Sequence, residues 1–104
     1  MKNKKFEIIF ENYESPSGVN TQYIMSKSFY EFNELCIIVE DMSQDNFSQI
    51  IPTVIIQKLK HSEISFSTIR TDIGLNFSGN NIITINYSNL YPSKTHLVMV
   101  IGIY

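Results

Sequence analysis

Ser28-Phe29-Tyr30-Glu31-Phe32-Asn33-Glu34-Leu35-Cys36-Ile37-Ile38-Val39-Glu40-Asp41-Met42 admits two readings, and the class of the whole chain follows from the choice. Ser28 and Glu31 have the form of a capping box, in which the Ser side chain accepts from a backbone N–H three residues on and the Glu reaches back to the N–H of the cap. At 100° per residue Phe29, Phe32, Leu35, Cys36, Val39 and Met42 fall in one arc of about 140°, the stripe a helix turns to a core. The competing reading makes Leu35–Val39 a buried strand, which its two Ile and one Val permit. The cap and the longer period favour a helix over 29–42.

On either side the pattern is simpler. Before the stretch, Phe6, Ile8 and Phe10 alternate with Glu7, Ile9 and Glu11. A turn at Ser15-Pro16-Ser17-Gly18 follows, and then Val19, Thr21, Tyr23 and Met25 alternate with their neighbours, so a first hairpin is expected. After it, Phe47, Ile50, Ile51, Val54, Ile55 and Leu59 recur at helical spacing. Pro52 is best placed in a first turn, so a second helix is expected from Ile51 or Pro52 to Lys60. Beyond His61 the period falls to two: Ile64 and Phe66; Ile73, Leu75 and Phe77; Ile83, Ile85 and Tyr87. Ser78-Gly79-Asn80-Asn81 supplies residues that accept positive φ and should close a hairpin between the last two runs. His96–Tyr104 is apolar on both parities, as a central strand covered on both faces would be.

The expected architecture is one α+β domain over residues 1–104. It has a mainly antiparallel sheet of five or six strands and two helices packed on one face, in the order ββααββββ. Its expected core joins Phe32, Leu35, Val39, Val54 and Leu59 to Phe6, Ile8, Ile85 and Val100.

Composition narrows the function by exclusion. The chain has 104 residues, 43% hydrophobic and 17% charged, a globular balance. Ile occurs 17 times, Asn 10 and Ser 12, with neither Ala nor Trp. The skew favours sheet and matches AT-rich codon usage, pointing to a bacterium, phage or mobile element. Phe6–Phe10 is too short and too charged for a signal-peptide core, and no apolar run approaches the roughly 20 residues of a membrane span. Lone Cys36 reads as a small core residue in a reducing cytoplasm. Four scattered glycines make no phosphate cradle, and two isolated histidines with one cysteine make no metal pattern. The basic residues Lys58, Lys60, Arg70 and Lys94 are too dispersed for a nucleic-acid interface. No catalytic residues, metal or cofactor are therefore expected; an enzyme built on His96 ranks third among the readings.

Charge is distributed unevenly. Between Phe6 and Pro52 eight acids face Lys27 alone, whereas residues 53–104 hold two acids and four bases. An acidic field of this kind repels nucleic acid and attracts basic partners. On the outer side of the expected first helix lie Tyr30, Glu34, Ile37, Ile38 and Asp41, with Glu31 at the margin: apolar residues among carboxylates, the make-up of an interface that selects a basic protein.

Small size, cytoplasmic character, an acidic first half and the lack of a catalytic motif together resemble bacterial immunity proteins and antitoxins, including those of contact-dependent growth inhibition. The resemblance implies a cytoplasmic protein that neutralises a cognate, basic, nuclease-type toxin by masking its active or substrate-binding site. Glu31, Glu34, Glu40, Asp41 and Asp45 would stand in for phosphates. The second reading is a small homo-oligomeric accessory or ligand-binding protein.

Overall fold

A computed structural model describes residues 5–13, 18–40, 45–59, 63–68, 71–89 and 92–104. It is a β-sandwich. Eight strands, β1 (Phe6–Glu11), β2 (Gln22–Ile24), β3 (Glu34–Glu40), β4 (Asn46–Pro52), β5 (Ile64–Ser67), β6 (Asp72–Ser78), β7 (Ile82–Ser88) and β8 (His96–Ile103), form two antiparallel four-stranded sheets. The front sheet runs β1-β8-β3-β4 and the back sheet β2-β7-β6-β5. One short helix, α1 (Thr53–Lys58), and a 3-10 turn at Phe29–Glu31 complete the regular elements among the described residues. The expected α+β class with two helices on one sheet is thus overturned by two sheets packed face to face.

The correction begins in the 28–42 stretch. Ser28 does cap, its Oγ accepting from the Tyr30 N–H at 3.1 Å, but the helix it starts lasts a single turn. From Glu34 the chain is extended. Leu35, Ile37 and Val39 are fully buried, while Glu34, Cys36, Ile38 and Glu40 turn to the other face. Three successive β-branched residues, Ile37, Ile38 and Val39, lose side-chain freedom in a helix and pack well on a pleated surface. Of the stripe that looked helical, Phe29 and Phe32 belong to the 3-10 turn and its end, Leu35, Cys36 and Val39 to a strand whose centre is apolar on both faces, and Met42 lies outside the described residues.

The second expected helix is present in shortened form, as α1 within the expected span that starts at Pro52. Phe47, Ile50 and Ile51 belong to β4 and only Val54 onward to α1, so the helical spacing spans two elements joined at Pro52. Pro52 caps α1 without a side-chain bond, and the Thr53 hydroxyl donates to the Phe32 carbonyl at 2.7 Å, tying the helix start to the end of the 3-10 turn. The first hairpin is absent. β2 pairs with β7 in the back sheet, and β1 pairs with β8 in the front one. The hairpin of β6 and β7 is present, with Gly79 in its turn at φ 57°.

Leu35, Ile37, Val39, Val100 and Leu97 of the front sheet face Ile73, Leu75, Ile83 and Ile85 of the back sheet to make the core. Phe29 closes one end, its ring edge-on to Phe77 at 5.4 Å. Phe32 lies across Gly102, where an added Cβ would come within 2.4 Å of the ring. Of the expected core, Phe32, Leu35, Val39, Ile85 and Val100 are buried, but Phe6, Ile8, Val54 and Leu59 are exposed. Two of these four open the candidate site.

Candidate functional site: the outer face of the front sheet

The register of the front sheet places its outward side chains in rows. Phe6 stands beside Ile103, then Glu34, then Pro52. The next row is Ile8, Ile101, Cys36 and Ile50; the third is Glu11, Met99, Ile38 and Ser48. His96, Glu40 and Asn46 make the fourth. Neighbouring strands lie about 4.8 Å apart and residues two apart on a strand about 7 Å, so the apolar part measures roughly 14 by 14 Å.

This face is open. Phe6 is 69% exposed, Ile50 52% and Ile8 45%, and the outward residues at the centre of β3 and β8 are half-buried. A sheet in water normally turns polar side chains outward, so apolar residues on both parities of two adjacent strands are the departure to explain. Phe6, Cys36, Ile50, Ile101 and Ile103 line a shallow hollow of about 350 Å³ in which every side chain is apolar. A second hollow, of about 340 Å³, opens beside it between Tyr13, Ile38, Glu40, Asn46, Val98 and Met99.

The ionisable groups of the four rows are Glu11, Glu34 and Glu40 with Cys36 and His96, and His96 is buried with Nδ1 3.1 Å from the Lys94 carbonyl oxygen. Glu11 accepts from the Tyr13 hydroxyl at 2.7 Å, which pushes the tyrosine pKa up. Burial pushes the Cys36 thiol up as well, holding it in its neutral form on the face. The accessible charge of the face is therefore carboxylate, at the margins of an apolar centre.

The residues expected to form the site are divided by the strand. Glu34 and Ile38 do share the outward face of β3. Ile37 points the other way and is fully buried in the core, because one residue's step along a strand reverses the face. Tyr30 and Glu31 sit exposed on the 3-10 turn, with Tyr30 edge-on to Phe29 at 6.2 Å. Asp41 and His61 lie outside the described residues. Cys36, expected in the core, lines the hollow instead. Sequence reasoning missed Phe6, Ile8, Ile50, Met99, Ile101 and Ile103. The available signal was apolarity on both parities of His96–Tyr104, but that pattern suits a strand covered on both sides equally well.

Among the described residues no group of three or more His, Cys, Asp or Glu side chains is placed to hold a metal ion, and no helix is long and apolar enough to cross a membrane. Neither a protein-family model nor any curated protein matches the chain. Geometry alone carries the reading of the site.

Proposed function

We propose that the chain is a cytoplasmic immunity protein or antitoxin. It binds a cognate basic toxin of the nuclease type through the outer face of the front sheet and masks the toxin's active or substrate-binding site without catalysis. The single observation that supports this reading is an apolar centre about 14 Å wide whose accessible ionisable neighbours, Glu11, Glu34 and Glu40, are all acids. Burying Phe6, Ile8 and Ile50 supplies contact energy, at about 25 cal/mol for each Å² of apolar surface covered. The carboxylates supply attraction to a cationic rim and speed encounter. A nuclease presents that rim because its own substrate is a polyanion.

The test is surface-plasmon kinetics against the protein encoded beside this chain in its genome, at two salt concentrations. Ile50→Lys should raise the dissociation rate, whereas Glu34→Lys with Glu40→Lys should lower the association rate and flatten its salt dependence. Binding by the wild type that none of these substitutions alters would move the interface to another surface. A neighbour-encoded protein that does not bind at all would end the immunity reading.

A further inference from the structure

β4 is an edge of the front sheet. The Thr53 N–H donates to the Asn33 carbonyl at 2.9 Å, and this fixes the phase of the ladder: Ile51, Gln49 and Phe47 turn their backbone groups toward β3, while Asn46, Ser48 and Ile50 turn theirs away. On that outward row the Gln49 side-chain amide, from β4 itself, donates to the Ile50 carbonyl oxygen at 3.3 Å. Sheet edges are normally guarded by charge, a bulge, brevity or proline. β1 has Glu7, Glu11 and a bulge, β2 has three residues and β5 four. β4 runs seven residues in unbroken register with β3, has no charged residue, and meets proline only at its last position.

We propose that this edge is a self-association surface on which a second copy of the chain adds its own β4, antiparallel, about a two-fold axis at Ser48. In that register Ser48 faces Ser48 of the second copy and Asn46 faces Ile50, so all three outward N–H and C=O pairs meet their counterparts, donor against acceptor. Charge selects this occupant. The acids of the first 52 residues oppose the approach of two copies through the acid-rimmed outer face of the front sheet, but along Asn46–Ile51 neither copy has a charge to repel the other, and Asp45 comes opposite Ile51 rather than another carboxylate. A basic partner gains nothing ionic from an uncharged edge and is drawn to the acid-rimmed face instead. The product is a continuous eight-stranded sheet with the two apolar faces side by side. The inference does not depend on the proposed function. Seven paired residues a side, Asp45–Ile51, bury less than the roughly 1,200 Å² of a standard interface, so association belongs in the micromolar range or weaker.

Sedimentation velocity of the full chain from about 1 µM to about 1 mM spans that range; reducing buffer prevents a Cys36 disulfide from imitating the dimer. The wild type should pass from monomer to dimer. Ser48→Lys and Ser48→Glu should each stay monomeric, and their equimolar mixture should dimerise again, because the two substituted positions face one another across the axis. Far-UV circular dichroism checks that each variant is folded. If either is not, Ser48→Pro replaces it: the proline removes an N–H that β3 does not use, and should abolish the dimer. A wild type that stays monomeric throughout, a dimer that survives these substitutions, or a mixture that fails to recover would each overturn the proposal.

Discussion

Tyr23 packs its ring edge-on against Phe10 at 5.4 Å and is almost wholly buried, yet its hydroxyl finds no hydrogen-bond partner among the described residues. A buried unpaired hydroxyl costs about 1 to 3 kcal/mol of desolvation. Tyr23→Phe keeps the ring contact and removes that cost, so urea denaturation should give a midpoint equal to or above that of the wild type. Glu7 is the opposite case. Lys27 Nζ, 3.0 Å away, and then the Tyr104 hydroxyl, also at 3.0 Å, hold its carboxyl below the usual carboxylate range. The folded value is the lower one, so the contribution is present above the unfolded carboxylate range and drains away as pH falls through the lowered value. Lys27, raised by the same contact, loses its share only above the ordinary lysine range. Glu7→Gln should lower Tm slightly at neutral pH, and the difference should vanish in acid. The pair is exposed, so water and salt keep the effect small.

Among the elements, β3 offers the sharpest contrast. Ile37 and Ile38 are neighbours in sequence on opposite faces of one strand. Ile37→Ala should cost about 2 to 5 kcal/mol as a core truncation. Ile38→Ala, half-buried on the outer face, should cost clearly less in stability and act on partner binding instead; denaturation and binding measured on the same two proteins separate the effects. Had 29–42 been a helix, both residues would have been on its outer side. β1, β6, β7 and β8 were legible because apolar side chains alternate in them or run unbroken, as were the turn at Gly79 and the internal place of β8. β3 was not, because apolar residues on both parities satisfy a helical arc as readily as a strand. The site was half legible for the same reason. Glu34 and Ile38 are close in sequence and fell into one cluster, whereas Phe6, Ile50 and Ile101 meet through a register that no local pattern encodes.

For the molecule as a whole, contacts distant in sequence dominate. In the front sheet β8 lies between β1 and β3, pairing Phe6 with Ile103 at one end and Glu40 with His96 at the other. Topologies of this kind fold in milliseconds to seconds, and stopped-flow refolding from urea should fall in that range. Deleting residues 96–104 should leave a chain without cooperative unfolding by circular dichroism, since among the described residues β1 loses its ladder partner and β3 one of two. The order of β8 in the sequence also governs events on the ribosome. β1, β3 and β4 are synthesised before every strand of the back sheet except β2, and the strand that joins them is synthesised after all of that sheet. A nascent chain can therefore complete the back sheet while its apolar inner face still lacks a finished cover. Throughout that interval the unpaired sides of β1 and β3 are open to chaperones, and to β8 segments of neighbouring chains emerging from the same polysome.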